Sequence, residues 1–332
     1  MKYISLLRNT DSFKKRNEDS LNRIQHIQEA FEKILKSKQY RELEVSIFCG
    51  GSLGRGDAGK ESDLDLFILS NKEGKDIRRM DTLKLLADAI NINEKLKYPE
   101  FSNDGQYFKV YSFPDMFERL GSPNDDVDNL FTVRMLLLLE SRPIFNKELY
   151  EAQIDKVLDH YFRDSSGKDS FHPLFLMNDI LRYWRTVCLN YELVRNDPRR
   201  PWRKKNINLK FSRMLTIFGT ILPLISGPAS TKKNVGKLKD LTPIERLAQG
   251  LDYLNDDSIL ERFENFLKIY EEFIKLKESM GSKVNLDDAS IDEKVKSNAK
   301  EVKNNAEEFS KFLYECLMHE NIKEEYKRYL VL

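Results

Sequence analysis

Asp63 and Asp65 stand two residues apart at the head of the run DLDLFILS (63–70), and Gly50-Gly51-Ser52 begins thirteen residues before Asp63. On an extended strand, residues two apart project from one face with Cα atoms roughly 7 Å apart, so the two carboxylates can converge. Converging carboxylates repel one another unless a cation lies between them. A pair of oxygen ligands suits a hard ion, Mg²⁺ or Mn²⁺, rather than zinc. Magnesium takes one or two carboxylates and completes its shell with water and substrate phosphates. Gly50 and Gly51 allow close backbone approach, and Ser52 adds a hydroxyl beside backbone N–H groups, which together can hold a phosphate. A phosphate cradle facing a metal-binding acid pair suits a nucleoside triphosphate undergoing in-line displacement. A plainer reading of the DLD run is a polar strand start with two solvated acids. The Gly-Gly-Ser placed upstream favours the chemical reading.

These residues need two strands and a loop to hold them. VSIFCGG (45–51) is a short β-rich run ending in two glycines, and GSLGRGDAGKES (51–62) is a loop of small and polar residues. DLDLFILS alternates acid and apolar residues and then turns continuously apolar, as a strand polar at its start and buried at its end does. Leu21, Ile24, Ile27, Ala30, Phe31, Ile34 and Leu35 recur at steps of three and four, which predicts an amphipathic helix within 18–40. A second helix is predicted over 76–92 and a third strand over YFKVYSF (107–113), after a turn at Asn103-Asp104-Gly105. Residues 114–142 switch to helical spacing, and beyond about 150 no convincing strand is found. Helices are predicted over 174–194, 208–225, 243–254, 256–279 and 290–328. GPASTKKNVGKLKD (227–240) reads as a polar, mobile connection. The expected organisation is α+β: a first domain over 1–146, a small mixed sheet with helices on one side, then an all-helical domain over 147–332.

The stretch CGGSLGRGDAGKESDLDLFIL (49–69) resembles the signature of the polymerase-β-like nucleotidyltransferase superfamily. That signature is a hydrophobic strand, Gly-[Gly/Ser], about ten residues, then Asp-x-Asp at the next strand. Ser62 and the Gly-Arg-Gly of 54–56 also fit it. The resemblance covers about 25–145. It implies that Gly51 and Ser52 hold the triphosphate and that Asp63 and Asp65 bind magnesium. The reaction implied is transfer of a nucleoside monophosphate to an acceptor hydroxyl or phosphate, with release of pyrophosphate. The helices from 174 onward are more distantly similar to the bacterial subgroup related to uridylyltransferases and the DUF294-like nucleotidyltransferases. Many members carry a third carboxylate on a later strand. The matching strand here, 107–113, has no acid and presents Lys109 and Tyr111; the acids nearby are Asp104, Asp115, Glu118, Asp125 and Asp126. Either one of these reaches in from a loop or the site works with the pair alone.

Loop cations Arg55 and Lys60 have two readings, phosphate contact or solvation. Asp125, Asp126, Asp128 and Asn129 precede an apolar helix, where acids cap the positive N-terminus; the alternative is a supporting role in which Arg134 pairs one of them. In DPRRPWRKKN (197–206), Arg199, Arg200, Arg203, Lys204 and Lys205 crowd around Trp202. Such a run is either a solvated loop or a phosphate or RNA contact through charge and stacking. The expected nucleotide-binding set is thus Gly50, Gly51, Ser52, Arg55, Ser62, Lys204 and Lys205, with Asp63 and Asp65 as catalytic, metal-holding acids.

Composition sets the outer limits. The chain has 332 residues, with 55 Lys and Arg against 54 Asp and Glu. A net charge of +1 excludes a strongly basic field over the whole molecule, though not a local basic patch. Three scattered cysteines and four scattered histidines make a disulfide framework or a structural zinc site an unfavoured reading. No secretory leader is recognised at the N-terminus and no membrane span is expected, so the expected compartment is the cytoplasm. The acceptor stays open at this level: RNA or a tRNA end, as a toxin- or defence-like enzyme would use; a protein, as in regulatory uridylylation or adenylylation; or a nucleotide. A catalytically degenerate nucleotide-sensing module is the non-enzymatic alternative.

Overall fold

The structure, a computed structural model, describes residues 2–8, 10–36, 38–101, 105, 107–168, 171–193, 195, 202–228, 231–280, 286 and 293–331. The chain forms two compact units, Arg16–His160 and Met1–Lys15 together with Tyr161–Leu332. The first unit differs from the expected 1–146 domain at both ends: residues 1–15 group with the helical unit, and the sheet unit runs on to His160. Helix α1 is Lys2–Arg8, and the division falls inside helix α2, Asp11–Leu35.

The sheet unit continues with β1 (Val45–Cys49), α3 (Gly51–Arg55), β2 (Leu66–Ser70), α4 (Arg79–Lys95), β3 (Val110–Ser112), α5 (Phe113–Glu118), α6 (Leu130–Leu139), β4 (Arg142–Phe145) and α7 (Lys147–Tyr161). Its four strands run in the order β3-β2-β1-β4. β1 is antiparallel to β2 and β4, and β2 is parallel to β3. The mixed sheet is therefore as expected, with one strand more than the sequence pattern indicates. β4 is short and carries Pro143, which lacks a ladder N–H and suits an edge strand; the β1–β4 register shifts between Ile47 and Phe48.

Period-two alternation sorts the strand side chains. Val45, Ile47 and Cys49 of β1, with Leu66 and Ile68 of β2, join one core with Ile24, Ile27, Phe31 and Leu35 of α2 and with Leu85, Ala89 and Ile92 of α4. On the other face Phe48 stacks on Phe67 at 5.2 Å between ring centroids and meets Tyr150 of α7. The Ser46 hydroxyl donates there to Gln153 Oε1 at 2.5 Å. Helices thus cover both faces rather than one, which is why β1 and β2 are buried along their whole length.

The helical unit holds α8 (Leu174–Leu193), α9 (Trp202–Asn208), α10 (Met214–Ser226), α11 (Lys232–Lys237), α12 (Pro243–Leu254), α13 (Leu260–Met280), α14 (Glu293–Leu317) and α15 (Glu324–Tyr329). Residues 232–237, expected as mobile, form α11, capped by the Thr231 hydroxyl accepting from Asn234 N–H at 3.2 Å. α10 lies close on α12: an added Cβ at Gly219 would stand 2.8 Å from Pro243 O. Phe266 of α13 stacks on Phe309 of α14 at 4.3 Å, and Phe211, in the π-turn between α9 and α10, stacks on Phe273 at 4.8 Å. The run Trp202–Ser226 is long and apolar enough to cross a membrane by length and composition alone, but 67% of its most apolar stretch is buried inside the protein.

Candidate functional site

The β1–β2 ladder brings the two halves of the motif together. Cys49 pairs with Leu66, and one step further Gly50 N–H donates to Asp65 O at 2.8 Å. The chain then turns: Gly51 sits at φ +61°, in the left-handed region that glycine adopts without strain. A Cβ at Gly51 would stand 2.1 Å from Asp65 Oδ2. The Asp65 carboxylate therefore lies against the bare Cα of Gly51, in space that only glycine leaves open. Leu53 of the short helix α3 enters the core, and Gly56, at φ +74°, closes that helix.

The acids lie just ahead of the ladder rather than within it. Strand β2 begins at Leu66, while 63–65 keep the extended alternation: Leu64 is buried in the core between half-buried Asp63 and Asp65. Around them, burial pushes the Cys49 thiol up to about 12, and the nearby Arg142 opposes this while the nearby Asp65 adds to it. As donors, two carboxylates beside a cradle without a Cβ fit a hard divalent cation.

The loop between the motif halves is clasped rather than free. Asp57 N–H donates to Ser52 O at 3.0 Å, and Ala58 N–H to Ser20 Oγ at 3.3 Å. The Ser62 hydroxyl accepts from Gly59 N–H at 2.9 Å, so it shapes the turn that leads into Asp63. Arg55 is buried, paired with Glu140 and within 3.3 Å of Asp57. Its guanidinium is thus engaged in an internal ion pair. Lys60 is exposed. Lys204 and Lys205 are half-buried on α9, in the other compact unit, and Arg199 and Arg200 lie outside the described residues.

On β3, Tyr111 pairs with Leu69 in register and its hydroxyl donates to Tyr107 O at 3.0 Å. Lys109 reaches Asp128 at 3.5 Å and lies over the Tyr111 ring. Three of the acids weighed as a third ligand have partners of their own. Asp115 accepts from Gly74 N–H at 3.3 Å, and Asp126 from Thr132 N–H at 3.0 Å. Asp125 holds the buried Arg134 through two bonds of 2.8 and 2.7 Å. Asp104 lies outside the described residues. Among the described residues, no group of three or more His, Cys, Asp or Glu side chains is placed to hold a metal.

Sequence reasoning missed Glu140, whose backbone oxygen would stand 2.0 Å from a Cβ at Gly54 and whose carboxylate pairs Arg55. It also missed Arg23 of α2, which donates to Gly59 O and Ser62 O. Neither has a local signature, since both act on partners distant in the chain.

Residues 29–103 match the family model of the nucleotidyltransferase domain, under a quarter of the 332-residue chain. No curated protein and no solved structure matches the chain. The matched segment holds β1, the Gly-Gly-Ser turn, α3, both acids, β2 and α4. Residues 29–103 are therefore similar to a nucleotidyltransferase domain, whose generic chemistry is the transfer of a nucleoside monophosphate.

Proposed function

We propose that this protein transfers a nucleoside monophosphate from a nucleoside triphosphate to an RNA acceptor, such as a tRNA end, releasing pyrophosphate in the cytoplasm. The observation that carries the reading is the seating of the Asp65 carboxylate against Gly51, two residues after the half-buried Asp63. Asp63 and Asp65 would hold Mg²⁺ or Mn²⁺, which when bound supplies charge neutralisation for the triphosphate. Gly50, Gly51 and Ser52 would receive the phosphates, and Ser62 orders the turn that delivers Asp63. Most of the rate gain then comes from positioning and electrostatics. The RNA acceptor is supported by the cations around Trp202 on and before α9, with the Arg195 guanidinium over the Trp202 ring at 5.0 Å.

A second reading, a nucleotide-sensing module, is favoured by β3, Val110–Ser112, which carries no acid. Incubation with each α-³²P-labelled nucleoside triphosphate, Mg²⁺ or Mn²⁺, cellular RNA and lysate protein separates the readings, with Asp63→Asn and Asp65→Asn beside the natural chain. Label on RNA that disappears in both variants supports the proposal. Label on protein moves the acceptor to regulatory nucleotidylylation. Triphosphate binding with no label transferred supports the sensing module.

A further inference from the structure

Arg23 lies six residues ahead of the segment that matches the nucleotidyltransferase domain, yet it grips the motif loop. Its Nη1 donates to Gly59 O at 2.6 Å and its Nη2 to Ser62 O at 3.2 Å. Nε donates to the Tyr98 hydroxyl at 3.1 Å, and the guanidinium carbon lies 4.9 Å from the centre of the Tyr98 ring. Three residues earlier on the same helix, Ser20 receives Ala58 N–H. One face of α2 is thus the mount for the loop, and Tyr98, beyond the end of α4, fixes the angle of the guanidinium.

The Ser62 carbonyl belongs to the peptide unit that ends in the nitrogen of Asp63. Holding that oxygen fixes the plane from which the Asp63 Cα departs. On the far side of Asp63, Leu64 is buried in the core and Asp65 O is bonded to Gly50 N–H. Asp63 therefore hangs between the sheet on one side and Arg23 on the other. Between Gly59 and Ser62 lie Lys60 and Glu61, both exposed, and α2 holds the stretch at both of its ends through Arg23. The planar fork of arginine serves two carbonyls at once, whereas a lysine ammonium is a point charge on a flexible stem.

We infer that Arg23 is a positioning residue of the acid pair: it fixes the Ser62–Asp63 peptide so that the Asp63 carboxylate converges with that of Asp65. The inference rests on the reading of that pair as the metal-holding site.

The test compares the full chain with Arg23→Lys, Arg23→Ala and Tyr98→Phe. Backbone hydrogen exchange over 56–65, without nucleotide, is expected to speed by about tenfold or more in Arg23→Lys while β1 and β2 stay protected. Binding of Mn²⁺ alone, followed by electron paramagnetic resonance, is expected to weaken several-fold in Arg23→Lys and less in Tyr98→Phe, which keeps the ring. A merely structural role would lower the fraction of folded protein and leave the Mn²⁺ midpoint of the folded fraction unchanged; that result overturns the inference. So does unchanged loop exchange in Arg23→Lys. If Arg23→Ala does not fold, the lysine and phenylalanine variants still decide. A natural chain that binds Mn²⁺ but transfers no label refutes the proposed function while leaving the Arg23 comparison intact. A natural chain that binds no Mn²⁺ removes the metal site and overturns the inference with it.

Discussion

At the scale of single residues, Gly51 carries the tightest constraint. Two effects coincide there, a left-handed φ of +61° and a Cβ position 2.1 Å from Asp65 Oδ2. Gly167 provides the natural control, because its φ is +75° but nothing lies within 4 Å of an added Cβ. Gly51→Ala is therefore expected to cost about 1–3 kcal/mol and, by displacing Asp65, to lower transfer by about a hundredfold. Gly167→Ala should show the backbone cost alone, with activity unchanged. Urea denaturation and label incorporation on both variants check this. A second residue-scale prediction concerns Asp256. The His319 hydrogen bond, with Ser258, holds its carboxyl down at about 2 from an ordinary value of 3.8. A depressed folded value contributes stability above the unfolded value and loses it as pH falls through the folded one. The melting difference between the natural chain and Asp256→Asn should therefore be fullest above about pH 4 and vanish towards pH 2.

At the scale of elements, α3 is held to the chain ahead of β4 by charge and by contact. The Arg55 and Glu140 side chains are 6% and 0% exposed, and Glu140 O lies against Gly54. Glu140→Ala removes one carboxylate from a buried guanidinium that also meets Asp57. A loss near the lower end of about 3–5 kcal/mol is expected in guanidinium denaturation. This pair also shows why legibility was uneven. The strand, turn and acids of 45–70 were readable because alternation and glycines are local signals, and α2, α4 and α8 because their apolar steps repeat over many turns. β4 was not readable: four residues with a proline, paired only at an edge, carry no period. The Arg55–Glu140 pair is not legible in the sequence, because nothing within ten residues of Arg55 announces Glu140. Strand β2 begins at Leu66 rather than at Asp63, since the burial alternation of 63–65 runs ahead of the paired residues and the Gly50–Asp65 bond marks where pairing ends. The Lys-rich stretch before α12 formed a helix through a threonine cap and the burial of Val235.

At the scale of the whole molecule, the three cysteines separate into two classes. Burial raises the Cys49 and Cys316 thiols to about 12, while Cys188 is half-buried and raised by burial as well. A thiol reagent at pH 8 should label Cys188 slowly in the native chain and all three once it is unfolded; counting adducts by mass checks it. The near-equal totals of 55 cations and 54 anions leave little long-range steering, so RNA binding on the proposed reading depends on the local cations of the helical unit. The bond from Gly50 to Asp65 also ties the site to a residue count as well as to residue types. Loss of one residue from β2 would turn both carboxylates into the packed interior and Leu64 outward. A one-residue insertion or deletion in β1 or β2 is therefore expected to abolish the site, whereas a two-residue change would keep the facing of Asp63 and Asp65.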